Sequence, residues 1–220
     1  MFKEIVIDIN GNALQGYLAH GENSRGWIIF AHGSGSSRKS PRNNWVAREL
    51  NHLGFSTLLF DLLTIHEDKI HSNRFNIPLL AQRLLGTTEW LLKSPEYQGT
   101  PIGYFGASTG AAAALMAAAE ADRSWPLYAI VCRGGRPDLA ERDFLQHVLQ
   151  PTLLIVGSND VEVIKLNEKA KIDLPNAKLV LIPGASHLFE EPGAFDEVAK
   201  LTGDWFLSHL DTLDKNYQHA

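Results

Sequence analysis

Six short apolar runs punctuate the chain: WIIFA at 27–31, STLLF at 56–60, PIGYF at 101–105, LYAIVC at 127–132, TLLIV at 152–156 and KLVLI at 178–182. Near-continuous apolarity over five or six residues, rich in Val, Ile and Leu, is expected of strands covered by helices on both faces. Longer stretches with helical periodicity separate the runs and predict helices over 43–52, 77–92, 111–121, 138–149, 162–172 and 194–209. Two further runs, EIVIDI and ALQGYLA, flank Asn10-Gly11, a pair suited to the positive φ angles of a tight hairpin. The pattern predicts an α/β fold with an eight-stranded, mostly parallel sheet, an antiparallel start and helices on both faces. A chain of 220 residues suits one such core, so residues 1–220 are read as a single domain.

Composition removes several function classes. A net charge of −5 without a basic run argues against nucleic acid as a partner. The opening MFKEIVIDING breaks any signal-like apolar stretch with charged and amide residues. The longest apolar run, 111–119, is too short for a membrane span, so neither export nor membrane insertion is expected. Cys132 is the sole cysteine, which excludes an internal disulfide and Cys-cluster metal motifs. A cytoplasmic location is expected. Oligomeric state is not legible, since no heptad or sustained apolar stripe stands out.

In open α/β sheets, chemistry gathers in the loops beyond the carboxyl ends of the strands. After PIGYF, Gly106-Ala107-Ser108-Thr109-Gly110 matches G-x-S-x-G, in which a strained strand-to-helix turn exposes a serine hydroxyl. The simpler reading is a serine that caps the alanine-rich helix behind it. A serine nucleophile needs a base, and the base needs an acid, in the chain order Ser, Asp or Glu, His. The loop after TLLIV offers Asp160 and the loop after KLVLI offers His187. Glu162 is a nearby rival, and Asp160 could instead cap the helix that follows it. Backbone N–H groups of Thr109 and of Ser34, with Gly35 second, are the expected oxyanion donors.

The loop AHGSGSS does not suit phosphate, because its glycines miss the G-x-G-x-x-G spacing and no Gly-Lys-Ser/Thr element follows. His66, Glu67, Asp68 and His71 give metal chemistry only a weak foothold, with the histidines five apart. No cofactor is expected. Between Cys132 and Thr152 there is no room for a cap domain, while the polar segment 64–76 reads either as a flap over the serine or as a solvated loop. Arg133, Arg136 and Arg38, with Arg42 beside the last, follow strands or the oxyanion loop and are candidates to orient an anionic substrate.

Taken with the opening hairpin, the segments HGSGSS, LLFDLLT, GASTG, GSND and GASH resemble those of the α/β-hydrolases, in particular the small, capless dienelactone-hydrolase-like proteins. The resemblance covers nearly the whole chain and implies Ser108 as nucleophile, Asp160 as acid, His187 as base, and oxyanion donors near Ser34 and at Thr109. The namesake enzymes carry cysteine where this chain has Ser108, so their lactone substrate is not carried over. Residues 33–64 also look like a subgroup found fused to phosphoribosyltransferase domains, and no such domain is read here. The reading is a serine hydrolase acting on small soluble carboxylic esters. Thioesterase, amidase and acyltransferase chemistry would use the same residues. The alternative is a catalytically quiet scaffold that binds a small molecule or a partner protein.

Overall fold

The computed structural model describes the backbone of residues 2–217 and the side chains of residues 2–210. The chain opens with the antiparallel hairpin β1 (Lys3–Ile9) and β2 (Asn12–Ala19). Asn10 and Gly11 at its tip adopt φ of 52° and 81°, the left-handed pair that a two-residue turn requires. Strands β3 (Trp27–Ala31), β4 (Ser56–Phe60), β5 (Ile102–Ala107), β6 (Leu127–Arg133), β7 (Thr152–Gly157) and β8 (Ala177–Ile182) complete one eight-stranded sheet. Its order is β1-β2-β4-β3-β5-β6-β7-β8. Pairing is antiparallel from β1 to β4 and parallel from there on.

Helices α1 (Pro41–His52) and α7 (Ala194–Tyr217) lie on one face. On the other are α3 (Ile77–Lys93), α4 (Thr109–Glu120), the short α5 (Arg142–His147) and α6 (Val161–Asp173). The two-residue period of a strand sorts neighbouring side chains into two cores. On β5, Ile102 and Tyr104 pack with Leu84, Leu91 and the α4 alanines, while Phe105 and Ala107 pack with Val46, Leu50, Val198 and Phe206. Burial on both faces is the physical cause of the continuous apolar runs.

Two expectations are corrected. The run at 178–182 was expected to be buried like its neighbours, yet β8 is an edge strand on which Lys178 and Leu181 are exposed. Apolarity marked it as a strand but could not reveal that nothing pairs beyond it. The helix expected over 138–149 is divided into a 3-10 turn at Pro137–Leu139 and α5. Both bonds of the Arg136 guanidinium to Asp138 hold the first piece, and Ala140 and Glu141 are extended between the two. Segment 134–151 therefore carries no cap domain.

Candidate active site

Ser108 follows β5 and precedes α4 with φ 52° and ψ −119°, a conformation that costs a non-glycine residue roughly 1–3 kcal/mol. Three backbone bonds hold it. The Ser108 N–H donates to the Arg133 carbonyl at 3.2 Å, and the Ser108 carbonyl accepts from Ala111 N and Arg136 N at 3.1 Å each. Although Ser108 stands at the N-cap position of α4, its side chain makes no capping bond, which removes the simpler reading of this serine. The flanking glycines are required by close approach. A Cβ on Gly110 would lie 2.1 Å from the Ala31 carbonyl oxygen, and one on Gly106 would lie 2.5 Å from Ala111 Cα.

His187 and Asp160 meet across two loops that are stitched together. Ser158 N donates to the Ile182 carbonyl, Asn159 N to the Ala185 carbonyl, Asn159 Nδ2 to the Gly184 carbonyl, and Gly184 N to Ser158 Oγ. Gly157 permits this contact, because a Cβ there would fall 2.3 Å from the Ala185 carbonyl oxygen. The result is a 2.6 Å contact between His187 Nδ1 and Asp160 Oδ2. An ionised carboxylate only accepts, so Nδ1 carries the proton and Nε2 is left as the acceptor. Asp160 occupies the N-cap of α6 without capping it, and Glu162 points to solvent beside Lys165. His187 also borders the strand next to the serine turn. A Cβ on Gly134 would come within 3.5 Å of His187 Cε1, and Gly134 adjoins the residue that accepts the Ser108 N–H.

The loop after β3 turns at Gly33–Ser36, with Ser36 N donating to the Gly33 carbonyl and Gly35 at φ 69°. Ser34 and Thr109 line one narrow crevice together with Gly33, Gly35, Leu62 and Arg74. Thr109 opens α4, so its N–H has no partner within the helix. Gly33 lies against the nucleophile: a Cβ there would stand 3.1 Å from Ser108 Cβ.

His32, not singled out in the sequence, anchors this loop. Its Nδ1–H donates to the Gly33 carbonyl and its Nε2 accepts from Leu62 N, at 2.9 and 3.0 Å. Burial pushes the imidazole below its ordinary value near 6.5, against the opposing pull of the Gly33 carbonyl and of Asp61 and Asp68. Its position directly before the glycine-rich loop was the one sequence signal available.

Segment 64–76 lies beside the crevice, which its Asp68 and Arg74 help to line. It comprises α2 (Ile65–Asp68) and a 3-10 turn at His71–Phe75. A capping box joins Thr64 and Glu67, Arg74 pairs with Asp68 at 2.9 Å, and Arg83 reaches Glu67 at 2.6 Å. Partial burial works to raise the Glu67 carboxyl, but the Thr64 N–H and the Arg83 guanidinium outweigh it and hold the group below its usual range. Glu67 and Asp68 are thus engaged with arginine, and among the described residues no group of three His, Cys, Asp or Glu side chains is placed to hold a metal.

The candidate arginines separate into two kinds. Arg38 pairs with Asp61, and Arg136 pairs with Asp138 at 2.8 Å. Arg133 is buried and has no carboxylate partner among the described residues.

A strained serine turn after β5, with an Asp-His pair on the loops after β7 and β8, defines an α/β-hydrolase. A family model for the alpha/beta hydrolase domain matches residues 24–201, and the chain belongs to that family. It is dienelactone-hydrolase-like: a dienelactone hydrolase from Anabaena variabilis is 50% identical, with 95% of this chain and 98% of that one covered and a TM-score of 0.90. Est1E from Butyrivibrio proteoclasticus shares the fold at 19% identity and a TM-score of 0.80, over 94% of this chain and 99% of its own. Two Mycobacterium tuberculosis proteins named as phosphoribosyl transferases, from strains CDC 1551 / Oshkosh and H37Rv, are 54% identical over 196 residues. That alignment takes in 89% of this chain, which spans only 44% of their length. The family model and the Anabaena dienelactone hydrolase support a domain of hydrolase type. No helix among the described residues is long and apolar enough to cross a membrane.

Proposed function

We propose that the protein is a serine hydrolase that cleaves carboxylic esters of small soluble substrates through an acyl-enzyme. The observation that carries this reading is the Asp160–His187 contact on loops that border a serine held in a left-handed turn and capping nothing. In the proposed cycle His187 Nε2 takes the Ser108 hydroxyl proton as Oγ attacks the ester carbonyl. The Thr109 and Ser34 N–H groups receive the charge that develops on the carbonyl oxygen. His187 then returns the proton to the leaving alcohol, and a water activated by the same nitrogen releases the acid. Asp160 holds Nδ1–H in place throughout and steadies the imidazolium.

The absence of a cap over 134–151 supports substrates that enter from open solvent. Leu62, Leu63 and Leu80 line the crevice with Ser34 and Thr109 and suit a short apolar portion of the ester. The name of the Mycobacterium proteins belongs to chains more than twice as long as the shared region, and the loop at His32–Ser37 lacks a phosphate-cradling spacing.

The test is labelling with a fluorophosphonate probe, followed by peptide mapping. Modification of Ser108 that disappears in Ser108→Ala and His187→Ala is expected. A folded protein that takes no label would overturn the hydrolase reading in favour of a binding scaffold.

A further inference from the structure

We propose that Arg133 and Arg42 form an anion subsite beside the serine turn, built to take a carboxylate or phosphate carried by the substrate. The proposal rests on the serine-hydrolase reading and adds a chemical class of substrate to it. Arg133 ends β6, and its carbonyl accepts the Ser108 N–H. Its guanidinium carbon lies 5.9 Å from the ring centres of both Phe189 and Phe195, the first of which follows His187 by two residues. The backbone of Arg133 thus bonds to the backbone of the nucleophile, and its side chain lies against Phe189 of the histidine loop.

The guanidinium is supplied with almost nothing to bind. Arg133 is 5% exposed, its Nε is buried without a partner, and among the described residues the one hydrogen bond of its guanidinium is a long 3.4 Å contact from Nη2 to Asn43 Oδ1. A buried guanidinium with five donors and no counter-ion is an uncompensated charge in a low dielectric. Arg42 adds a second positive group. Its Nε is also buried without a partner, and its one carboxylate among the described residues, Glu190, is largely in solvent and 3.2 Å away. Burial first, and repulsion from Arg42 second, lower the Arg133 guanidinium to about 10, which leaves it charged at neutral pH.

The first turn of α1 contributes in the same sense. Arg42 and Asn43 occupy it, no acidic side chain is present, and the amide end of the helix carries partial positive charge. A cation at that end is disfavoured within the chain itself, whereas an anion placed there satisfies the helix terminus and both arginines together. Arg38 and Arg136 make the contrast, since each already holds a carboxylate of this chain.

The test compares kcat/KM for three nitrophenyl esters: the mono-ester of glutaric acid, its neutral methyl ester, and the ester of 3-phosphonopropionic acid. Wild type is expected to favour at least one anionic ester over the neutral one by tenfold or more, and the better of the two names the anion. In Arg133→Met and in Arg42→Met that ratio is expected to fall towards one. Arg42 is partly exposed on the first turn of α1, so its variant reports even if Arg133→Met does not fold. A wild-type ratio near one, or a ratio unchanged in both variants, would overturn the subsite while leaving the hydrolase reading intact. Titration of Ser108→Ala with glutarate and with inorganic phosphate reads the subsite without turnover. Binding that Arg42→Met weakens tenfold, in a wild type that hydrolyses none of the esters, would retain the subsite and remove the hydrolase reading.

Discussion

Asp160 Oδ2 stands 2.6 Å from His187 Nδ1 although the residues are 27 apart in the chain, and Asp160 makes this contact instead of capping the helix it opens. In the proposed mechanism the carboxylate serves to orient the imidazole, and it gives no capping bond to its own helix. Asp160→Asn keeps a good N-cap residue but offers Nδ1–H an amide that can turn its NH2 toward it. We expect kcat for ester hydrolysis to fall by roughly 10³–10⁴, with little change in thermal unfolding. Glu162→Gln serves as the control, because Glu162 is exposed and paired only with Lys165. A loss of the same size in Glu162→Gln would reassign the acid.

Gly110 is required by contact with backbone, which cannot move aside. A Cβ there would meet the Ala31 and His32 carbonyl oxygens at 2.1 and 2.5 Å. Gly110→Ala is expected to destabilise the protein by about 3 kcal/mol or more and to abolish labelling of Ser108. Gly99, at φ 78° with open space around it, provides the comparison. Gly99→Ala carries only the left-handed conformational penalty of about 1–2 kcal/mol and keeps the label. Denaturant melts of both variants check the difference.

His32 is buried neutral, and its imidazole is held below the ordinary value near 6.5. The unfolded chain therefore binds a proton at a higher pH than the folded one. The stabilising contribution is complete above about pH 6.5 and is lost as pH falls from there through the lower folded value. His32→Gln should flatten this part of the stability profile and loosen the Gly33–Leu62 link. Urea titrations of the two proteins between pH 7.5 and 5 test it. An unchanged slope would mean that another group carries the acid sensitivity.

Cys132 lies fully buried on β6, and burial pushes its thiol up to about 12. The thiolate is the reactive form, so the native protein should resist thiol reagents at pH 8. One equivalent should react once the chain is unfolded in guanidinium. Rapid reaction of the native protein would show that β6 opens locally.

Much of the active-site turn was legible because its requirements are local. Gly106 and Gly110 announce a turn through close approaches that only glycine permits, on either side of a serine at positive φ, whereas Asn10-Gly11 announces the hairpin through its positive φ angles. The apolar runs reported strands, since two buried faces leave few polar positions. Asp160 and His187 could be nominated by their places after the last two strands, because chain order and strand ends are readable. Between Asp160 and its near rival Glu162 the sequence favoured Asp160, which follows the strand more closely.

Tertiary structure decided the rest. It placed β8 at the edge of the sheet, so that an apolar run became half-exposed. It also separated arginines that look alike on paper: Arg38 meets Asp61 across 23 residues, while Arg133 lies against two phenylalanine rings and feels the charge of Arg42. It made His32 a buried anchor rather than one of nine histidines. Backbone conformation and periodicity depend on adjacent residues and can be read along the chain. Burial and charge compensation depend on groups brought together from distant segments, and their energies exist only once the chain has folded.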